Sequence, residues 1–468
     1  MRSTIRAGLS AGLLALLAAC APSTPFVPAT PPQAPPQYKN AAAAESNLTR
    51  KWWLVYDDPL LTELVETTLR DNPYTEIGLM RVAQARALVQ AAAADGRVQV
   101  KAETSLKNSH SSQTTPLGKL LGGQSISGNE FAVGIGGGWQ IDLWNRVANA
   151  IEAAKARADA AEIFARNVEL VLSMEVAVTY WRYRGADAEL LLLGKMRARR
   201  AEAVELLTRR LEAGVGDERF LTRAYVELGN AEADIVEATK RRTLMEQELA
   251  TLAVKPLKDF AVPPDPAYRM PNIPAVTPGV PALILARRPD LAETSQTIRE
   301  LLAQQAIAEA AFYPTIALTG NFGFASEQLG DLLRSDSRQF SIGPLALSLP
   351  ILDGGRNEAN LEAARARYRE AVNVHRSKLL IALREVDDAL TEVQAARDQV
   401  RVRTETLRAA QRLVAIARSR YEEGDASYID VAWMENEALS VERDMTRNQV
   451  EGLLATVRLI TALGGGWH

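Results

Sequence analysis

Apolar residues recur along this chain at two different spacings, which alternate in a fixed order. Between Gly355 and Glu423 the positions Leu361, Ala364, Tyr368, Ala371, His375, Leu379, Ala382, Val386, Leu390, Val393, Ala396 and Val400 advance in steps of three and four. The mean step, about 3.5 residues, is that of helices packed side by side in a shallow supercoil. Charges such as Arg365, Glu370, Arg384, Asp387 and Arg397 fall between these positions and are expected to face water. The stretch contains no proline and ends at Gly424.

A stretch of the same kind, Asn145 to Glu212, contains only two glycines, Gly185 and Gly194, and is followed by Gly214 and Gly216. Laying Gly214 on Gly424 also lays Arg146 on Arg356, an offset of 210 in both pairs. An internal repeat of this kind fixes the architecture before any single element is assigned. As helices rising about 1.5 Å per residue, each stretch would run roughly 100 Å, far beyond the usual helix of about 11 to 12 residues. A compact globule has no use for such a rod.

The second spacing is a strict alternation. Val98, Val100, Ala102, Thr104 and Leu106 share one face of a predicted strand, and Phe131, Val133, Ile135, Gly137, Trp139, Ile141 and Leu143 share one face of the next. Between them the polar, glycine-rich tip Ser109 to Gly128 closes a hairpin. The second half repeats this with Ile316, Leu318, Gly320, Phe322 and Phe324, then Leu345, Leu347, Leu349 and Ile351. Strands of about ten residues are long enough to cross a bilayer at a tilt. Alternation alone also allows a soluble hairpin with one buried face. Each hairpin lies between long helices and has little chain for a sandwich of its own, and lipid does not tolerate two hairpins with open edges. Closure is therefore expected from several subunits. No apolar run of 18 or more residues follows the amino-terminal region, which excludes a helical span.

The remaining segments fill in this order. Asp58-Pro59 opens a helix that breaks at Asn72-Pro73, and a longer one follows to about Ala94. Phe220 to Leu252 returns from the first rod, nine prolines fall between Pro256 and Pro289, and Pro289 suits the first turn of a helix running to Phe312. At the amino terminus Arg2 and Arg6 precede an apolar run from Ala7 to Ala19, the layout of a bacterial secretory signal. The run ends Leu17-Ala18-Ala19-Cys20, which resembles the lipobox of bacterial lipoproteins; Cys20 would then be lipidated and become the first mature residue. Ala21 in place of aspartate resembles lipoproteins sorted to the outer membrane. From Pro22 to Pro36 seven of fifteen residues are proline, an extended tether. The expected organisation is signal 1–19, tether 20–46, first repeat 47–255, connector 256–281 and second repeat 282–468.

Composition removes other classes. With 54 basic and 57 acidic residues the formal net charge is −3, so no nucleic-acid partner is expected. His110, His375 and His468 are far apart and Cys20 is the sole cysteine, so neither a metal site nor a cofactor is expected. Acidic and basic residues such as Glu358, Glu362, Arg365 and Arg369 are spaced as surface charge on a helix. They form no carboxylate pair converging on a pocket, so the chain is not expected to be an enzyme.

Several ordered motifs carry a family resemblance. They are Trp139-Gln140-Ile141-Asp142-Leu143-Trp144, Pro278-Gly279-Val280-Pro281, Arg287-Arg288-Pro289-Asp290, Pro350 through Arg356, Tyr421 through Val431, and Leu463-Gly464-Gly465-Gly466-Trp467. Together they resemble the TolC-like outer-membrane efflux protein family in its lipoprotein branch. The resemblance implies a mixed α/β membrane protein in which three subunits each give four strands to a twelve-stranded outer-membrane β-barrel. Their long helices would form a trimeric periplasmic α-barrel. The implied function is the passive exit duct of a tripartite efflux pump, docked by a periplasmic adaptor and fed by an inner-membrane transporter. The outer duct of a type I protein secretion system and a pore-less coiled-coil envelope lipoprotein are the alternatives.

The resemblance also implies site residues. The turns Gly214-Val215-Gly216 and Gly424-Asp425-Ala426 would be the adaptor-facing tips. In the family the helix after the second tip carries acidic residues that narrow the periplasmic mouth, commonly in a tract resembling Tyr-Leu-Asp-Val-Leu-Asp-Ala-Gln-Arg. Here Asp430 keeps the first carboxylate, Trp433 replaces the second, and Asn436 stands where the arginine is common. Asp430, Trp433 and Glu437 share one helical face and are the expected gate.

Overall fold

The computed structural model describes residues 38–39, 48–120, 122, 124–125, 127–263, 268–279, 281 and 287–465. Cys20, the apolar run before it and most of the tether lie outside these residues. After a 3-10 turn at Trp52–Tyr56 come α1 (Pro59–Asp71), α2 (Pro73–Ala94), β1 (Gln99–His110), α3 (Pro116–Leu120), β2 (Ser127–Ile141), α4 (Arg146–Glu212) and α5 (Glu218–Leu252). The second half supplies α6 (Pro289–Ala310), β3 (Thr315–Ser326), β4 (Arg338–Ser348), α7 (Arg356–Glu422) and α8 (Tyr428–Ala462). Both α4 and α7 have 67 residues, both α5 and α8 have 35, and both α2 and α6 have 22. The internal repeat is therefore a repeat of structure.

Two compact units form, each drawing on both halves of the chain. One comprises Val82–Ala161 with Thr294–Val374 and holds all four strands; the other includes Glu162–Glu293 and the chain from His375 onward. In the second unit Trp52, Trp53, Tyr56, Tyr180 and Trp181, with Tyr38 and Tyr183, form the aromatic part of the core, and the Tyr56 and Trp181 rings are 5.1 Å apart. Such rings bury the largest apolar areas per residue. Asp58 starts α1 by accepting hydrogen bonds from the Leu60 and Leu61 amides, each at 3.0 Å. Its other oxygen accepts from the Tyr180 hydroxyl at 2.8 Å and the Tyr268 hydroxyl at 3.1 Å, so one helix cap also ties in α4 and the connector.

Along α7, ten of the twelve seam positions are buried, and Leu390 and Val400 are half-buried. Arg365 departs from its expected place in water. It is buried, pairs with Glu362 at 3.0 Å and approaches Glu309 of α6 at 3.8 Å. Its position directly after Ala364 puts it at the edge of the seam, where α6 covers it.

Both repeats close their returning helix with the same left-handed turn, but with different residues. After α8, Gly464 has φ +87° and a Cβ there would lie 2.3 Å from the Arg287 carbonyl oxygen, so only glycine fits. After α5 the equivalent residue is Val254 at φ 55°, with Lys255 N–H bonding the Ala250 carbonyl at 2.8 Å. A β-branched residue in this region is strained by about 1–2 kcal/mol, and Val254 gains little packing in return because it is 45% exposed. Val254→Gly is expected to stabilise the protein by about 1 kcal/mol, read as a higher denaturant midpoint; an unchanged or lower midpoint would contradict the strain.

The four strands form one antiparallel sheet in the order β1-β2-β3-β4. The strand expected at Leu345 to Ile351 is corrected to Arg338–Ser348, with Ile351 and Leu352 beyond it and almost fully exposed. A bulge explains the misreading. Leu318 pairs with Leu345 but Gly320 pairs with Ile342, so Gly343 and Pro344 together face one residue of β3. The alternation changes phase there, and only its second phase is visible as Leu345, Leu347 and Leu349. Pro344 lacks an N–H, which suits a bulge.

Candidate functional site

The strand register sorts the sheet into two chemically opposite faces. Across β1 to β4 one face carries the rows Thr104–Val133–Phe324–Arg338, Ala102–Ile135–Phe322–Phe340 and Val100–Gly137–Gly320–Ile342. Below these come Trp139–Leu318–Leu345 and Ile141–Ile316–Leu347. The other face carries Glu103–Gly134–Gly323–Gln339 and Lys101–Gly136–Asn321–Ser341. From Ile316 to Ser326 the apolar face advances ten residues, about 34 Å at about 3.4 Å per residue. At the roughly 40–45° tilt of membrane strands this covers about 25 Å, the height of a barrel's apolar band.

On the polar face β2 and β3 run close together at Gly134 and Gly323. A Cβ on Gly323 would lie 2.4 Å from the Val133 carbonyl oxygen, and one on Gly134 would lie 2.7 Å from that of Phe322. The β2 and β3 backbones therefore leave no room for side chains at this point, and only paired glycines allow the approach. At one end of the sheet, where the strands pass into helices, the Trp144 ring stacks on Tyr313 at 4.7 Å and donates to the Pro314 carbonyl at 2.7 Å. Trp139 donates to the Gly96 carbonyl at 3.1 Å. Rings of this kind, apolar in body and polar at one edge, suit a boundary between lipid and water. Both edges, β1 and β4, are unpaired among the described residues.

At the opposite ends of the long helices the two turns are built alike. Gly214 (φ +73°) and Gly424 (φ +84°) supply the left-handed residue, and Val215 N–H and Asp425 N–H bond back to the Arg210 and Arg420 carbonyls at 3.0 and 2.8 Å. Gly216 is glycine for a different reason: a Cβ would lie 2.6 Å from the Leu211 nitrogen. Val215 and Asp425 are exposed, whereas Gly216 and Ala426 are half-buried.

Asp430, Trp433 and Glu437 all lie on the exposed face of α8. Asp430 also closes a capping box: the Ser427 N–H donates to Oδ2 of Asp430 at 3.0 Å, and the Ser427 hydroxyl accepts from the Ile429 N–H at 3.1 Å. The Ser-x-x-Asp spacing carries this helix-start signal. Trp433 is 41% exposed, and the Arg223 guanidinium of α5 lies 5.8 Å from its ring centre.

Two neighbouring acids, Glu435 and Glu202, had no motif to announce them. Glu435, buried on the inner side of α8, accepts from Arg418 of α7 at 2.9 Å and pairs with Arg199 of α4 at 3.1 Å. Tyr428 donates to Glu202 of α4 at 2.9 Å, and this bond with that of Arg199 holds the Glu202 carboxyl below its ordinary value. Their sequence signal is weak, because acidic residues on helices are common and only the fold decides which are covered.

The model of the family described as outer membrane efflux protein matches residues 66–253 and 280–465. The chain is 30% identical to outer membrane protein OprJ of Pseudomonas aeruginosa, over 98% of this chain and 96% of that one. It is 26% identical to the cation efflux system protein CusC of Escherichia coli, over 91% and 90%. Among solved structures, the outer membrane protein VceC of Vibrio cholerae superposes with a TM-score of 0.79 at 26% identity, over 90% of this chain and 100% of that one.

Proposed function

We propose, from the premise that the chain belongs to the outer membrane efflux protein family, that it is the outer-membrane channel of a tripartite efflux pump, a passive exit duct. The observation that carries the reading is the sheet: an apolar face, an opposite polar face with glycine, lysine and glutamate, and two edges unpaired among the described residues. An edge in lipid leaves backbone groups unsatisfied at several kcal/mol each. Joining β4 of one copy to β1 of the next removes every edge, and three copies give twelve strands around a water-filled lumen. The family supports a periplasmic adaptor as the docking partner, with an inner-membrane transporter behind it. The exposed tips at Val215 and Asp425 are the surfaces offered to the adaptor.

The mouth of the duct is assigned to Asp430, Trp433 and Glu437, which share the exposed face of α8. Three copies of Asp430 would make a cation-favouring ring beside an apolar constriction of Trp433. Single-channel recording tests it: wild type should conduct with cation preference, Asp430→Ala should lose the preference, and Trp433→Ala should raise the conductance. Identical traces for all three would remove the gate from this position. Lipidation of Cys20 is proposed as an auxiliary anchor, adding about 0.8 kcal/mol per buried CH₂. Cys20→Ala behind a cleavable signal should still insert, and loss of all membrane association would contradict a barrel that holds itself in the bilayer.

A further inference from the structure

One buried carboxylate joins three helices. Glu189 of α4 is 4% exposed and uses both oxygens: Oε2 accepts from Arg241 of α5 at 2.8 Å, and Oε1 accepts from Arg443 and Arg447 of α8 at 2.7 and 2.6 Å. Arg443 also reaches Asp234 of α5 at 3.1 Å. Arg443 and Arg447 are one helical turn apart, so α8 is gripped from both sides of a single point. One turn before Glu189, at Gly185, a Cβ would lie 2.7 Å from the Val450 side chain, which places α4 and α8 in close contact beside the ion cluster. Charge-assisted bonds to a carboxylate withdrawn from water are the strongest of their kind, and they fix geometry as well as energy.

Burial along α8 changes at this point. From Gly452 to Ala462 nine of eleven residues are buried, including six in succession, so the helix is enclosed on every side. From Tyr428 to Glu451 only five of twenty-four are buried. Beyond the cluster the half nearer the tip is tied to α4 and α7 through Glu435 and Tyr428, whose partners Arg199, Arg418 and Glu202 are each at least 40% exposed. A helix clasped at one level, enclosed above it and held below by water-accessible pairs bends at the clasp when those pairs break.

We propose that Glu189 is the fulcrum about which the tip half of α8 swings when the mouth opens. It acts as a positioning residue, and the motion assigned to it rests on the channel reading above. The enclosed half remains as a stem while the arm bearing Asp430 and Trp433 moves. Arg443 and Arg447 keep the pivot at one height during the swing.

Amide hydrogen exchange along α8 in the full-length assembled protein tests this directly. Wild type should show exchange at least tenfold faster in Tyr428–Arg443 than in Gly452–Ala462, with the step between Arg443 and Gly452. Glu189→Gln should move the step toward the end of α8 and raise open-channel occupancy several-fold, and Glu189→Asp should restore both in part. Arg447→Gln, which removes one exposed donor and leaves the other two, guards against a variant that fails to fold; it should produce a smaller shift of the same sign. Uniform exchange along α8 in wild type, or a step that stays in place in both Glu189→Gln and Arg447→Gln, would overturn the fulcrum. A wild-type protein that shows the step but never conducts would overturn the channel reading, and with it the opening motion.

Discussion

Ile342→Arg is expected to abolish stable insertion. Ile342 is 86% exposed within the chain and lies opposite Gly320, near the middle of the apolar face. An arginine on the lipid face at mid-depth costs about 2–4 kcal/mol, and a barrel of three chains incurs that cost three times. The paired control is Asn321→Arg. Asn321 lies one residue along β3 from Gly320, on the polar face opposite Ser341, so its arginine would point into water. Asn321→Arg should insert normally and change only conductance or ion preference. Membrane fractionation and heat-resistant assembly on gels measure both. Equal tolerance of the two substitutions would mean that the apolar face does not meet lipid.

Glu435→Ala should produce the second large effect, a several-fold rise in open-channel occupancy. The Arg199 and Arg418 guanidinium groups both converge on this carboxylate, from α4 and α7. Removing it takes away the acid that Arg199 and Arg418 share, leaving Arg199 with Glu202 alone. Acid should act in the same direction through Glu202. Its carboxyl lies below the ordinary value of 4.5 because Tyr428 and Arg199 bond its charged form. A depressed carboxyl pKa contributes stability that is complete above the ordinary value and is lost as pH falls through the depressed one. Opening should therefore increase only below about pH 4.5, and Glu202→Gln should abolish that acid response. A closed channel in Glu435→Ala, indistinguishable from wild type, would remove the tip contacts from the opening mechanism.

The helices were legible because their signals are local and repeated. A seam of twelve positions at a coiled-coil spacing, with no proline to interrupt it, leaves few alternatives, and ten of the twelve are buried as read. The sheet was legible where alternation is unbroken, as in β3. It was misread in β4, where the bulge opposite Leu318 and Gly320 changes the phase of the apolar residues; a phase change of that kind depends on the partner strand. Arg365 shows a similar limit, since its burial comes from α6, which is distant in sequence. The glycines at the tips could be read as turns, but not the separate reason for Gly216, which is the closeness of the Leu211 backbone. Glu189 and Glu435 left only a weak signal. Each is one glutamate among many on a charged helix, and only the convergence of arginines from other helices distinguishes it.

Closure of one barrel by several copies of this chain is tested by the mass of the detergent-solubilised protein, measured together with its conductance in a planar bilayer. Three chains per particle and stepwise conductance are predicted, because two unpaired edges per chain close only between copies. A monodisperse single chain with its full strand content, or a three-chain particle that never conducts, would contradict the account.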